Sequence, residues 1–372
     1  MLDKFQQIVK ERHQYARDWK AKTGGKVVGY LCTYTPEEIM YAAGVLPVRI
    51  LGSHEPQDVT DPHIFGMYCP LCRDCLAQGL KGRYDYLDGI IISQCCLHMR
   101  QVFWSWKLHL PTSFSHYIHM PVKVQSARAK PFLSKELVEF KTALEEWTGK
   151  AIPTEALDTA IETYNTNRRL MKQIYELRQS DDPPISGAEA MEIVVSSQIS
   201  DKATHNQLLA EALEYLPERK NDQDTGVRLM LVGSENDDTE FVRMVESLGV
   251  TCVIDDHCTG SRYFWNEVIP EENRIEAIAA RYIDRVPCPS KDWEKRLRFE
   301  HIQKLIQDYQ VQGVMVIQQK FCDPHELDIP PLMEFLKEKD IPTLFLEVDV
   351  TMPAGQFQVR IEAFLEMLQL EI

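Results

Sequence analysis

Three cysteines follow apolar runs that are typical of buried strands. Cys32 comes after VVGYL, Cys96 after GIIISQC and Cys322 after VMVIQQKF. Thiolates are soft ligands that hold iron–sulfur clusters and zinc. Ligands of parallel sheets bind beyond the carboxyl ends of the strands, so we expect these three thiolates to converge in a cleft. The alternative from the pattern alone is three unrelated buried cysteines.

A second group of cysteines lies in CPLCRDC, where Cys69, Cys72 and Cys75 are three residues apart. A ferredoxin run of this kind would place a fourth cysteine at residue 79, which is glycine. No second C-x₂-C pair follows at a zinc-ribbon distance either. The run is therefore not a self-contained metal motif. Pro70 predicts a helix with Cys69 at its N-cap, where a thiolate is stabilised, and core packing accounts for the other two.

Histidines near the predicted strand ends are candidate proton donors. His98 follows Cys96 closely, and His116 and His119 lie in the run FSHYIHMP. Their spacing does not match a metal motif. Structural or surface roles are the alternative for each of them.

Composition limits the class of partner. The chain has 372 residues, enough for two domains, with 41 Lys and Arg against 56 Asp and Glu and a net charge of −15. Such an acidic surface argues against nonspecific binding to nucleic acid or to an anionic membrane. No G-x-x-x-x-G-K-[ST] loop is present, so we do not expect this chain to hydrolyse ATP.

The chain divides into three segments by pattern. Residues 1–130 alternate strand-like and helix-like runs, residues 131–220 are almost wholly helical in pattern, and residues 221–372 return to the alternating pattern. Such alternation predicts parallel sheets with helices on their faces. TPEEIMYAAG predicts a helix with Thr35 at its N-cap. We therefore expect an α/β fold of two sheet domains joined by a helical connector.

The predicted location is a reducing cytosol. The first twenty residues form an amphipathic helical pattern without a signal-peptide core, and no apolar run is long enough to span a membrane. In that compartment the ten cysteines favour metal or redox chemistry over disulfides.

Several separated motifs resemble one known family in the right order. They are GYLCTYTPEEIMYAAGVLPVRILG, NTNRRLMKQIYELR, DDHCTGSRYF, RVPCP, QKFCDP and GQFQVRIEAFLEML, which together extend over almost the whole chain. They are similar to motifs of the 2-hydroxyacyl-CoA dehydratase and benzoyl-CoA reductase family. Leu97 departs from the family pattern, in which an acidic residue is common after the cysteine.

The resemblance implies two flavodoxin-like (Rossmann-like) α/β domains with a 4Fe–4S cluster in the cleft between them. Carried over by motif, the three cluster ligands are Cys32, Cys96 and Cys322. The family pairs two homologous cluster-bearing subunits, and an ATP-hydrolysing activator with its own iron–sulfur cluster supplies low-potential electrons.

Within the family, VQSARAKPFLSKELVEFKTALEEWTGKAI and DDHCTGSRYFWNEV most resemble the smaller cluster-bearing subunit of ATP-dependent benzoyl-CoA reductase. The implied activity is one-electron reduction of the aromatic ring of benzoyl-CoA. The alternative is a 2-hydroxyacyl-CoA dehydratase, which eliminates water from its acyl-CoA by radical chemistry.

Further alternatives concern the cluster. Some relatives hold an 8Fe–9S double cubane, which needs about six cysteines. Cys69, Cys72, Cys75 and Cys95 are the spare sulfurs that would complete such a set. A non-enzymatic reading is an electron-relay subunit whose partner alone binds the acyl-CoA.

Overall fold

The structure is a computed structural model that describes residues 1–221, 224–349 and 354–370. Its strands are β1 (Lys26–Tyr30), β2 (Val45–Arg49), β3 (Gly89–Ser93), β4 (Phe114–Ile118), β5 (Val227–Gly233), β6 (Val250–Asp256), β7 (Gly313–Gln319) and β8 (Thr343–Val348). Its α-helices are α1 (Asp3–Lys10), α2 (Arg12–Thr23), α3 (Glu37–Ala42), α4 (Pro70–Leu80), α5 (Leu97–His109), α6 (Ala129–Thr148), α7 (Thr154–Glu176), α8 (Gly187–Ile199), α9 (Lys202–Tyr215), α10 (Thr239–Glu246), α11 (Ser261–Phe264), α12 (Arg274–Asp284), α13 (Leu297–Asp308), α14 (Asp323–Glu338) and α15 (Ala354–Leu370).

The eight strands form two parallel sheets with the same order. The first sheet runs β2-β1-β3-β4 and the second runs β6-β5-β7-β8. In each sheet the second strand of the domain pairs with one edge of the first strand, and the third strand pairs with its other edge. This arrangement is the flavodoxin-like, doubly wound order, and it has its switch point between β1 and β3 or between β5 and β7. The predicted two-sheet α/β fold is confirmed.

Both faces of each sheet are covered by helices. In β1, Val27 packs with Leu76 of α4 and Val102 of α5, whereas Val28 packs into a separate cluster with Phe140 of α6. Successive strand residues point to opposite faces, so the unbroken apolar runs reflect burial on both sides.

The helical connector holds the two sheet domains together. Helix α8 is buried along its whole length and contacts both β2 and β6. Its Val194 packs in one core cluster of the second domain and its Val195 in the other. Helix α12 comes from the C-terminal part of the chain but packs against α6 and joins the core of the first domain.

Buried polar groups fix the start of α3 against the connector. Glu38 forms an ion pair with Arg168 of α7, and Tyr282 donates a hydrogen bond to the same carboxylate over 3.0 Å. The predicted N-cap role of Thr35 is wrong, because α3 begins one residue later than expected and has no side-chain cap. Thr35 Oγ1 instead accepts a hydrogen bond from Ser93 N, which links the ends of β1 and β3.

The close approach of β5 and β7 explains why residue 233 is a glycine. Gly233 ends β5 with φ +132°, and a Cβ atom there would lie 2.1 Å from the carbonyl oxygen of Ile317 in β7. Only glycine tolerates both conditions. None of the helices in the described ranges is long and apolar enough to cross a membrane.

Candidate metal centre

The predicted convergence of strand-end thiols is present in the first domain. Cys32 follows β1, and Cys95 and Cys96 follow β3, on the two sides of the switch point. Side-chain hydrogen bonds join Cys32 to Cys95 and Cys95 to Cys96. The connections that follow β1 and β3 leave towards opposite sides of the sheet and so open a crevice between the two strand ends. These thiols therefore lie where such folds bind ligands.

The second domain adds Cys322, and helix α4 adds Cys69 and Cys72. Cys322 follows β7 and interacts electrostatically with the thiols of Cys69 and Cys96. Cys72 in turn interacts with Cys96. Cys69, Cys72, Cys95, Cys96 and Cys322 pack around one core cluster, and Cys32 joins them through Cys95. We call these six residues the thiol cluster: Cys32, Cys69, Cys72, Cys95, Cys96 and Cys322.

Helix N-termini point at this cluster. Cys69, Cys96 and Cys322 are the N-cap residues of α4, α5 and α14. Cys96 Sγ accepts a hydrogen bond from Met99 N over 3.5 Å. The partial positive charge at a helix N-terminus stabilises thiolates. The pKa of Cys96 is indeed lowered, chiefly by a hydrogen bond with Cys95, whereas burial raises that of Cys322. The predicted N-cap position of Cys69 is confirmed.

Thiol pairs divide the cluster into ionised and neutral members. The hydrogen bond from Cys95 lowers the pKa of Cys32 to about 6, against the opposing effect of burial. The hydrogen bond from Cys72 lowers the pKa of Cys69 to about 6 in the same way. The donors Cys95 and Cys72 have raised pKa values. Metal binding requires the thiolate, so the site already favours the ligand form of two sulfurs.

His98 lies beside the thiol cluster. Its Nδ1 accepts a hydrogen bond from Cys69 N over 3.2 Å, and its Nε2 lies 3.4 Å from Asp323 Oδ2. Burial opposes its charged form, but the hydrogen bond and negative charge of Cys69, together with Asp323, raise its pKa. Three possible ligand atoms lie within 4.8 Å of one another, one each from Cys69, Cys72 and His98. These three donors alone would suit zinc, whereas six thiols suit an iron–sulfur cluster.

The remaining predicted residues lie elsewhere. Cys75 is fully buried in α4, and its thiol donates to the carbonyl oxygen of Ile50 over 3.6 Å. His116 lies in β4 with its ring 5.1 Å from that of Phe140, and His119 is exposed. Cys75 interacts electrostatically with its helix neighbour Cys72, but its thiol bonds to the Ile50 carbonyl, so we do not count it in the thiol cluster. The structure does not bring His116 or His119 there.

Buried cations around the cluster were not anticipated from sequence. Arg49 ends β2 and donates to the carbonyl oxygen of Cys258 over 2.7 Å, and Arg285 donates to Thr33 O over 2.7 Å. Both cations help to lower the pKa of Cys32. Arg49 follows the same strand-end rule as the cysteines and could have been found by it. Arg285 comes from a distant loop and carried no signal.

Comparison with known proteins identifies the family. The family model described as 2-hydroxyglutaryl-CoA dehydratase, D-component, matches residues 32–368. The beta subunit of (R)-phenyllactyl-CoA dehydratase from Clostridium sporogenes is 26% identical over 98% of this chain and 97% of its own.

Two further relatives have the same level of identity. The C subunit of benzoyl-CoA reductase from Thauera aromatica is 26% identical over 92% of this chain and 90% of its own. The beta subunit of (R)-2-hydroxyglutaryl-CoA dehydratase from Acidaminococcus fermentans is 26% identical over 99% of both chains. The thiol cluster therefore lies in a chain that, over nearly its full length, belongs to the 2-hydroxyglutaryl-CoA dehydratase D-component family, as the resemblance predicted.

Proposed function

We propose that this chain is the iron–sulfur subunit of an ATP-dependent benzoyl-CoA reductase, which reduces the aromatic ring of its acyl-CoA substrate with single low-potential electrons. The observation that supports it is the group of six interacting thiols beside the switch point of the first sheet, to which the second domain contributes Cys322. Sulfur ligands in this number suit an iron–sulfur cluster.

Cys32, Cys96 and Cys322 are the proposed ligands of a 4Fe–4S cluster, and such a cluster supplies single electrons when bound. These three residues are half-buried, whereas Cys69 and Cys72 are buried. Burial opposes ionisation of all three thiols, and electrostatic interactions are stronger where water is excluded.

His98 is the proposed proton donor. Its Nδ1 is occupied as an acceptor, so a neutral ring carries its proton on Nε2, towards Asp323. Against the effect of burial, Cys69 and Asp323 raise its pKa and so favour the protonated ring that a general acid requires. In that form Nδ1 is a donor and gives up the hydrogen bond from Cys69 N. His116 and His119, which are the other predicted donors, lack any contact with the thiol cluster among the described residues.

A double cubane is the second candidate for the cluster. The observation that favours it is that Cys95 forms hydrogen bonds with Cys32 and Cys96, and that Cys69 and Cys72 interact electrostatically with Cys96, which brings the number of thiols to six. Cys75 is not part of this set. Replacement of Cys72 by Ala would then lower the iron content from about eight to about four per chain, and replacement of Cys75 by Ala would not. Equal iron in both variants, at about four, supports the single cubane.

A 2-hydroxyacyl-CoA dehydratase is the second candidate for the reaction. It is favoured by the names of two of the relatives, which are dehydratase beta subunits as similar to this chain as the reductase subunit is. The thiol cluster serves both reactions, since each needs one low-potential electron at a thioester.

The proposed assembly is a heteromer in the reducing cytosol. The relatives are themselves named as subunits, and we propose a homologous cluster-bearing sister subunit and an ATP-hydrolysing iron–sulfur activator as partners. Free thiols persist in a reducing compartment, which fits the ten unpaired cysteines.

Anaerobic assays separate the two reactions. The chain is purified with its sister subunit and supplied with the activator, ATP and either benzoyl-CoA or a 2-hydroxyacyl-CoA. A cyclic diene product from benzoyl-CoA supports the reductase. Turnover of the 2-hydroxyacyl-CoA but not of benzoyl-CoA would support the dehydratase instead. Absence of turnover with either substrate would contradict both proposals.

A further inference from the structure

One buried ammonium group lies near the thiol cluster without a hydrogen-bond partner. Lys291 has no exposed surface, and its Nζ has no partner among the described residues. The other fully buried lysine, Lys202, donates from Nζ to Tyr263 Oη over 2.7 Å and to Ser197 Oγ over 2.8 Å. A buried charged group without compensation is costly, so Lys291 requires an explanation that Lys202 does not.

The loop after α12 positions Lys291 against the proposed ligands. Lys291 N donates to Cys288 O over 2.8 Å, and Cys288 N donates to Tyr34 Oη over 3.0 Å. Arg285, at the start of the same loop, donates to Thr33 O. These bonds join the loop to the turn that contains Cys32, although more than two hundred residues separate the two segments.

The groups that face the ammonium are mostly thiols. Burial lowers the pKa of Lys291, and the thiols of Cys95, Cys32, Cys288 and Cys96 oppose this by favouring the charged form. Three of these four belong to the thiol cluster. No described carboxylate lies within ion-pair distance of Lys291 Nζ, so ionised sulfur nearby is what favours its ammonium form.

The neighbouring cations do not fill the same role. Arg49 donates to Gln198 Oε1 over 2.6 Å and to Cys258 O, and Arg285 donates to backbone carbonyl oxygens. Their guanidinium groups are largely occupied by protein acceptors. The Nζ of Lys291, by contrast, has no acceptor among the described residues and is available to donate to a bound group.

We propose that Lys291 Nζ donates a hydrogen bond to the sulfur of the bound iron–sulfur cluster or of its cysteine ligands and thereby raises the reduction potential of the cluster. This inference rests on the proposed iron–sulfur function. Hydrogen bonds to sulfur and local net charge are among the factors that set cluster potentials. Reduction adds one negative charge, which a nearby ammonium stabilises. Removal of the ammonium therefore makes the cluster harder to reduce.

The test is an anaerobic redox titration of the assembled protein, followed by electron paramagnetic resonance. The variants are Lys291→Met, Lys291→Arg and the control Lys295→Met, which makes the same substitution at an exposed lysine of the same loop. We expect Lys291→Met to lower the midpoint potential by at least about 59 mV. For a one-electron couple, this shift corresponds to a tenfold change in the ratio of oxidised to reduced cluster at a given potential. Lys291→Arg and Lys295→Met should stay near wild type.

Iron content separates the possible failures. Wild-type protein without iron would overturn both the proposed function and this inference. Iron-loaded Lys291→Met with an unchanged potential would overturn only the inference. If Lys291→Met loses iron, retention of iron and potential by Lys291→Arg supports the role of the charge, and equal loss of iron in both variants overturns it.

Discussion

The Sγ atoms of Cys69 and Cys72 lie 3.3 Å apart at the first turn of α4. This contact lowers the pKa of Cys69 to about 6 and raises that of Cys72. The two thiols therefore act as an ionised acceptor and a neutral donor, and removal of the donor should return the acceptor towards ordinary thiol behaviour.

We expect Cys72→Ala to raise the pKa of Cys69 in iron-free protein. A hydrogen bond to a charged group contributes about 1.5–3 kcal/mol, which corresponds to roughly one to two pH units. The measurement is a pH titration of ultraviolet thiolate absorbance, in which the variant should lose about 0.4–0.8 of a thiolate at pH 7. Cys75→Ala, on the same helix, should leave the titration unchanged, because burial keeps the pKa of Cys75 above its ordinary value. Superimposable curves for the two variants would contradict this account of Cys69.

We expect His98→Asn to lower turnover by about 10²–10⁴-fold, the range for loss of a general acid, while iron content stays at the wild-type level. The measurement is turnover of the acyl-CoA substrate at saturating activator, together with an iron assay. His116→Asn is the control, because that ring packs against Phe140 and not against the thiols. Equal turnover in the two variants would remove His98 from the reaction.

The buried ion pair at α3 should be a major source of stability. Glu38 and Arg168 are both almost fully buried, and removal of one partner leaves the other charge uncompensated. We expect Glu38→Ala to lower the free energy of unfolding by about 3–5 kcal/mol. Glu162→Ala breaks the exposed pair with Arg169 and should cost less than about 1 kcal/mol. Denaturant unfolding of both variants tests this, and similar losses would refute the contrast.

Acid should destabilise the fold through His205. This ring is fully buried, and burial lowers its pKa far below 6.5. The unfolded chain therefore binds a proton below about pH 6.5 that the folded chain does not, so stability falls as the pH falls below that value. The expected loss is about 1.4 kcal/mol per pH unit.

The variant His205→Gln isolates that effect. Between pH 6.5 and pH 5 it should lose less stability than wild type, as measured by denaturant unfolding at each pH. Parallel losses in wild type and His205→Gln would show that another group causes the acid sensitivity.

Local pattern was sufficient for the sheets and for part of the site. Unbroken apolar runs identified β1, β3 and β7, and the rule that ligands bind at carboxyl ends selected Cys32, Cys96 and Cys322. In the structure Cys96 interacts electrostatically with both Cys32 and Cys322. Their roles as ligands stay predictions.

Tertiary packing decided what the pattern could not. The sequence between β2 and α4 gives no sign that the N-terminus of α4 meets that of α5, so only the double-cubane alternative joined Cys69 and Cys72 to the strand-end cysteines. Lys291 reaches the cluster only because α12 packs on the first domain. Neither contact has a periodic or spacing signature.

Iron and acid-labile sulfide per chain, measured on anaerobically purified protein, test the central claim most directly. We predict at least about four irons per chain with matching sulfide. Cys322→Ser should lose most of this iron, whereas Cys75→Ser, at a buried thiol outside the cluster, should keep it. Wild-type protein without iron, or full iron in Cys322→Ser, would contradict the account.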